Sequence, residues 1–421
     1  MAAPEPLGLS RVLVLGLARS GSSAAMALAQ AGCDVVGVDA DATRDVGRLR
    51  QSGVEVHLGG EIELTAVDGV EVVVKSPGVP SSEPLVARAR RVGVPVWSEV
   101  ELGARLLPQP IVGVTGTNGK TTTCELIGAM MRAEGRPVEV AGNVGRPLTS
   151  LEPDERGDAR IVCELSSFQL EDIDRFRARV AVLLNITPDH LDRHANVEEY
   201  TSAKLRIFEN QSPTDVAVIP RFFGSIPGQG RRIEFDQSGE LLAEPRLPGP
   251  HNRANAVAAS HAATAAGVAD AAIAEGLSSF AGLPHRLETI RTAAGVRYVN
   301  DSKATNPEAA EQALRAFPQA RVILGGSLKG SSFDRLASVA RETDVRSAYV
   351  IGEAAEQIAD ALAREGVSNV LAGDLATALA CATQDASDGE VVLLAPACAS
   401  FDQFSDYEQR GDTFRALVER L

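Results

Sequence analysis

An apolar run, a tight glycine turn, a lysine and three hydroxyls follow one another in Val114-Thr115-Gly116-Thr117-Asn118-Gly119-Lys120-Thr121-Thr122-Thr123. The order is that of a strand, 111–114, feeding a phosphate-cradling loop into a helix N-terminus. Backbone N–H groups of such a turn point at phosphate oxygens, and the helix dipole adds roughly half a positive charge there. Lys120 has the reach for β- and γ-phosphates, and the Thr121 hydroxyl can ligate Mg2+. The match to G-x-x-x-x-G-K-[ST] is imperfect. Its first glycine falls on Val114, with Gly113 and Gly116 the nearest glycines. The alternative is a glycine turn that only joins strand to helix.

Ile161-Val162-Cys163 leads to Glu164, followed by Leu165-Ser166-Ser167. An acid at a strand end beside a phosphate loop is placed to hold Mg2+. A helix start at Ser166 or Ser167, with the acid merely capping, is the competing reading. Asn185-Ile186-Thr187-Pro188-Asp189-His190-Leu191-Asp192-Arg193-His194 then gathers two histidines and two aspartates. A single histidine there would be a structural hydrogen bonder, whereas the cluster reads as metal or phosphate ligands. Lys204, by itself, is a solvated lysine on a helix. Arg286 can fork a phosphate, Asp301 can accept from a ribose or base, and Lys329 can bind a carboxylate. A helix-cap role for Asp301 and a plain surface role for Lys329 stay open at this level.

The elements that must position these groups form three blocks. The first runs to about residue 102, with buried parallel strands expected at 12–15, 35–38 and 70–74 and a helix at 24–31. Its turn Gly16-Leu17-Ala18-Arg19-Ser20-Gly21 and the acid Asp39 have the shape of a dinucleotide fold. Ala18 replaces the middle glycine that lets backbone approach a pyrophosphate, which disfavours NAD. A nucleotide or nucleotide-sugar bound in a related way is expected, with a ligand-free Rossmann-like domain as the alternative. The second block carries the phosphate loop, strands at 160–164, 180–185 and 215–219, hairpins or loops over 224–250, and a helix at 252–266. The third begins near Leu283. Its strands are expected at 296–300, 321–324, 348–351, 367–371 and 391–394, with helices at 306–316 and 354–364. Polar runs sit just past strand ends, at Asp301-Ser302-Lys303, Gly325-Gly326-Ser327 and Pro396-Ala397-Cys398-Ala399-Ser400. Ligands bind open α/β sheets at that edge.

At 421 residues the chain suggests two or three domains. Its net charge of -15 argues against nonspecific binding to nucleic acid or anionic membrane, though not against anionic small molecules. The five cysteines (Cys33, Cys124, Cys163, Cys381, Cys398) form no C-x-x-C, so buried free thiols in a reducing cytoplasm are expected. No apolar run is long enough to span a bilayer, and 12–15 after Arg11 reads as a strand rather than a secretion signal.

The segments GTNGKTT (116–122), ELSSFQLE (164–171), NITPDHLDRH (185–194), AKLRIFEN (203–210), HNRANA (251–256), GLPHRLE (282–288) and NDSKATN (300–306) together resemble the Mur ligase family. That family builds the peptidoglycan stem peptide. The likeness covers nearly the whole chain. With PACASFDQF (396–404) and EQRGDTF (408–414), it is closest to the D-glutamate-adding branch. The Asn-Pro-Arg element of the meso-diaminopimelate branch is not found.

The resemblance implies an α/β protein of three domains: a Rossmann-like N-terminal domain for a UDP-substrate (1–102), a P-loop-type central ATPase domain (103–282) and a Rossmann-like C-terminal domain for the amino acid (283–421). It implies an ATP-dependent acid–D-amino-acid ligase acting on UDP-N-acetylmuramoyl-L-alanine and D-glutamate through an acyl phosphate. Such an enzyme serves cell-wall biogenesis, and with it cell shape and division, as a cytoplasmic monomer with no nucleic-acid or membrane partner. Lys120, Glu164, His190 and Lys204 would be catalytic. Gly116, Thr117, Asn118, Gly119, Lys120, Thr121, Thr122, Thr123, Asn252, Asn255, Arg286, Asp301 and Lys303 would bind ATP. Thr121 and Glu164 would hold one Mg2+, with His190 and Lys204 serving a second, Lys204 as a carbamate formed with CO2. Gly16, Leu17, Ala18, Arg19, Ser20, Gly21, Asp39, Ser76, Pro77, Gly78, Asn143 and His190 would bind the UDP-substrate. Thr305, Lys329, Ser400, Phe401 and Tyr407 would receive D-glutamate.

Two departures stand out. Ser327 replaces an aspartate common beside the lysine, and Ala40-Asp41-Ala42 offers no arginine for the uracil end. Rival readings are a folylpolyglutamate synthetase or another Mur ligase, a nucleotide-binding switch, and an NAD-dependent dehydrogenase. A folate ligase has no need of the first block, a switch gives no reason for Lys204, and Ala18 with the ATP loop speaks against a dehydrogenase. Domain closure around the ligands is expected, to keep water from the acyl phosphate.

Overall fold

The computed structural model describes residues 7–60, 63–154, 156–189, 193–328 and 332–421. His190 and Lys329 lie outside the described residues. Three open sheets carry the chain. The first joins β1 (Arg11–Leu15), β2 (Asp34–Asp39), β3 (Glu55–Leu58), β4 (Val72–Lys75) and β5 (Val96–Ser98) in the order β3-β2-β1-β4-β5, all parallel. The second joins β6 (Ile111–Thr115), β7 (Val138–Gly142), β8 (Arg160–Glu164), β9 (Val180–Leu183), β10 (Val216–Pro220) and β11 (Arg231–Phe235) in the order β11-β10-β9-β6-β8-β7, also parallel. The third joins β12 (Glu288–Ala293), β13 (Val296–Asn300), β14 (Arg321–Gly325), β15 (Ser347–Ile351), β16 (Asn369–Gly373) and β17 (Val391–Leu394) in the order β12-β13-β17-β14-β15-β16, with β12 antiparallel.

Central strands such as β1, β4, β6 and β17 are near-continuous Val/Ile/Leu runs because helices cover both faces of a parallel sheet. In each sheet the strand order reverses beside a central strand, at β1, β6 and β14, and the crevice past the strand ends is the ligand edge.

By contact the chain divides into two compact units, Met1–Glu244 with Ala254–Ser278, and Pro245–Arg253 with Ser279–Leu421. The first unit contains two sheets fastened by buried charge. Lys75, at the end of β4, pairs with Asp172 at 2.9 Å. Glu101 accepts the N–H groups of Asp174, Arg175 and Phe176 at 2.9, 3.0 and 2.7 Å. No helix among the described residues is long and apolar enough to cross a membrane.

Several expectations need correction. The first helix spans Arg19–Gln30 and starts five residues earlier than expected, directly from the glycine turn. Gly21 makes this possible: a Cβ there would lie 1.7 Å from the Gly16 carbonyl oxygen. The 224–250 stretch holds no hairpin; β11 pairs parallel with β10. The expected strand at 180–185 stops at Leu183, and that at 367–371 is shifted to Asn369–Gly373. Five strands, β3, β5, β7, β11 and β12, were not expected. β3, β7 and β12 lie at sheet edges and mix polar with apolar residues; β5 is three residues long.

Candidate active site

The phosphate loop follows β6 directly, and the helix Lys120–Ala133 starts at its lysine. Gly116 at φ +149° and Gly119 at φ +89° make the turn that side chains resist. A Cβ on Gly119 would meet Asn255 Oδ1 at 2.5 Å, so Asn255 packs on the loop. The Lys120 ammonium donates to the carbonyls of Gly116 and Thr117 at 2.9 and 2.8 Å. Asn185, past β9, brackets the loop from below: its Oδ1 accepts from Asn118 N at 2.9 Å and its Nδ2 donates to Asn118 O at 2.9 Å. Thr117 Oγ1 meets the Tyr200 hydroxyl at 3.1 Å.

Lys204 is not a solvated lysine. It is buried on the helix Val197–Leu205, lies over the Tyr200 ring and donates to the Gly116 carbonyl at 2.8 Å. Burial holds its ammonium well below the lysine range, the Lys120 cation lowers it further, and Asp189 and Glu164 oppose. An amine in that state has a neutral, nucleophilic fraction.

Glu164 ends β8 and is buried, with Oε2 lacking a hydrogen-bond partner. The Thr122 and Thr123 hydroxyls are likewise buried without partners. An orphaned carboxylate oxygen beside a phosphate loop fits the donor set of Mg2+, a hard cation that takes oxygen ligands. Ser166 does cap the next helix, in a reciprocal box with Gln169, so the cap and Glu164 occupy separate positions. Asn143 Nδ2 donates to Glu164 Oε1 at 3.1 Å.

The same Asn143 lines a cleft of about 570 Å³ at the carboxyl edge of the first sheet. Gly16, Ala18, Arg19, Ser20, Asp39, Ser76, Pro77 and Gly78 also line it. Leu17 and Gly21 do not. The Leu17 side chain packs in the core, leaving its N–H to donate to Asp39 Oδ2 at 2.6 Å, and Gly21 sits beneath Gly16. An arginine does stand in the cleft: Arg44 lines it and pairs with Asp39 at 3.3 Å. Sequence reasoning stopped at Ala42, two residues short.

In the second unit, Asp301 lies past β13 and Asn306, not Asp301, caps the following helix. Burial pushes the Asp301 carboxyl up to about 6, against the pull of Arg286 and Lys303 and a bond from Leu287 N. Arg286 has its Nε buried without a partner. The residues either side of it, His285 at φ +62° and Leu287 at φ +45°, are held in a left-handed backbone that non-glycine residues resist. Asn252 is buried and donates to Pro248 O at 2.7 Å. Lys303 lies over the Tyr407 ring, and the Thr305 N–H donates to the Lys303 carbonyl. Ser400 is buried, whereas Phe401 is 70% exposed. Arg410, from the EQRGDTF motif, carried no expected role. It is fully buried and donates to Ser302 Oγ at 3.0 Å, to Ser302 O at 2.8 Å and to Cys398 O at 3.1 Å.

Three family models match this chain: "Mur ligase MurD-like, N-terminal domain" over 10–98, "Mur ligase middle domain" over 114–222 and "Mur ligase, glutamate ligase domain" over 285–398. A UDP-N-acetylmuramoylalanine--D-glutamate ligase of Acidobacterium capsulatum is 41% identical, covering 97% of this chain and 96% of that protein. One of Anaeromyxobacter dehalogenans is 42% identical, with 99% of each covered. Among solved structures, UDP-N-acetylmuramate-alanine ligase MurC of Thermotoga maritima matches with TM-score 0.59 at 20% identity, over 97% of this chain and 98% of that one. MurF of Acinetobacter baumannii matches with TM-score 0.60 at 19% identity, over 91% and 90%. At that identity these two speak for the fold alone. Matched by family models along its length and by full-length relatives at about two residues in five, the chain belongs to the Mur ligase family.

Proposed function

We propose that the protein is an ATP-dependent ligase that joins D-glutamate to UDP-N-acetylmuramoyl-L-alanine in peptidoglycan precursor synthesis. The observation that carries this reading is the buried Lys204, whose amine reaches the phosphate loop's own Gly116 carbonyl. A nucleotide switch has no use for a second buried lysine there.

The alanyl carboxylate of the nucleotide-sugar attacks the γ-phosphorus of ATP, the bond to the β,γ-bridging oxygen breaks, and ADP leaves. The amine of D-glutamate then attacks the acyl-phosphate carbonyl, phosphate leaves with the bonding pair, and the amine proton is lost. Lys120 offsets negative charge on the transferring group. Thr121, Glu164, His190 and the carbamate of Lys204 would hold Mg2+, which screens charge between the phosphates and the incoming carboxylate. The depressed ammonium of Lys204 supports the carbamate: the neutral amine adds to CO2 and loses a proton. Gly16, Ala18 to Ser20, Asp39 and Ser76 to Gly78 would receive the UDP moiety, and Asn143 would link that cleft to Glu164. Asn252, Asn255, Arg286, Asp301 and Lys303 are assigned to ATP; Thr305, Lys329, Ser400, Phe401 and Tyr407 to D-glutamate. We place the reaction in the cytoplasm, with a monomer as the working unit, and propose domain limits at 102/103 and 282/283.

The test is phosphate release with ATP, Mg2+ and the nucleotide-sugar across D-glutamate, L-glutamate, L-lysine and meso-diaminopimelate. Release that needs both the nucleotide-sugar and D-glutamate is expected. Release with another amino acid would keep the family and change the member; release indifferent to both would leave an ATPase.

A further inference from the structure

Three loops of the third sheet end on one carboxylate. Asp402 Oδ1 accepts from Ser327 Oγ at 3.3 Å, and Asp402 Oδ2 accepts from Glu353 N at 3.1 Å. In return, Asp402 N donates to Ser327 Oγ at 2.9 Å. Ser327 N also donates to Ala399 O at 2.9 Å. The loops concerned follow β14, β15 and β17, three neighbouring strands, at their carboxyl ends. The approach is close: a Cβ on Gly352, at φ +72°, would fall 2.1 Å from Asp402 Oδ2. A Cβ on Gly326 would fall 2.1 Å from Ala399 O. Arg410 grips the same turn from behind through Cys398 O and Ala399 O.

We infer that Asp402, clasped with Ser327, is a positioning residue that fixes the wall of the amino-acid site by tying the loops after β14, β15 and β17 together. The inference rests on the reading that the third domain receives D-glutamate, since Ser400 sits two residues from Asp402. Asp402 is not proposed to touch the ligand. A bare carboxylate next to an amino acid that carries two carboxylates and a net negative charge repels it, so a purely electrostatic Asp402 would weaken binding. A positioning Asp402 strengthens it. The two roles therefore predict opposite signs when the charge is removed. Serine suits position 327 because its hydroxyl both donates to and accepts from Asp402.

The experiment measures KM for D-glutamate, for the nucleotide-sugar and for ATP, with kcat and Tm, in S327A, S327T, D402N and S327A/D402N. Losing one or two hydrogen bonds to a charged group corresponds to about a tenfold loss or more. The clasp predicts that KM for D-glutamate rises by about tenfold in S327A and D402N. S327T keeps the hydroxyl and stays near wild type. The double variant is no worse than the worse single one, because both break the same contact. KM for the other two substrates stays within about twofold, a margin below a single hydrogen bond. A lower KM for D-glutamate in D402N overturns the clasp. So do unchanged values, or equal losses for all three substrates tracking a fall in Tm. If D402N does not fold, S327A and S327T decide alone. Should wild type use another amino acid, the proposed function fails, and the same comparison with that amino acid decides the clasp.

Discussion

Lys204 and Asp301 are both buried ionisable groups, and burial pushes each towards its neutral form. For Lys204 the neutral amine is what carbamate formation requires. Lys204→Arg keeps a permanent cation that cannot react with CO2, so kcat should fall by about a hundredfold or more. Wild type in 13C-bicarbonate should show a carbamate carbon signal that the variant lacks; a fully active variant would sink the carbamate. For Asp301 the shift to about 6 sets a pH window. If the ionised carboxylate accepts from ATP, kcat/KM for ATP should decline as pH falls below about 6, and Asp301→Asn should abolish that limb while lowering the plateau. A limb that persists in the variant belongs to another group. Neither burial was legible in sequence. A lysine eight residues into a polar helix looks solvated until Tyr200 and Gly116 close over it, and Arg44 was missed because loop folding, not spacing, returns it to Asp39.

The helix Glu99–Leu106 meets the short Leu148–Ser150 turn through Glu99, whose Oε1 accepts from Thr149 N at 2.6 Å and Thr149 Oγ1 at 2.7 Å. Thr149 Oγ1 in turn meets Ser23 Oγ at 2.9 Å. The other oxygen, Oε2, has no partner. Burial dominates and lifts this carboxyl from 4.5 to about 7. Between those values the folded chain keeps a proton that the unfolded chain gives up. The associated stability is full below about pH 4.5 and is lost as pH rises through about 7. Glu99→Gln should therefore match wild type near pH 5 and exceed it above pH 7, by up to about 3 kcal/mol, read as Tm against pH. A parallel offset at all pH values would assign the effect to packing. At this scale most central strands could be read directly from their Val/Ile/Leu runs. The edge strands could not, since β3 alternates exposed and half-buried residues, and β11 was hidden in a stretch rich in glycine and proline.

Residues assigned to ATP come from both compact units: the phosphate loop and Asn255 from one, Asn252, Arg286, Asp301 and Lys303 from the other. The motifs did not show that Asn143 joins the cleft of the first sheet to Glu164, because that bond spans separate segments. The buried charges of the first unit bear on how the gene can be cut. A fragment ending at residue 102 would carry Lys75 and Glu101 away from Asp172 and from the N–H groups of 174–176. The cut would remove these partners and uncover the face they cover. A fragment that keeps both buried pairings is one that runs through both parallel sheets to about Ser278, even though a family boundary invites a shorter one.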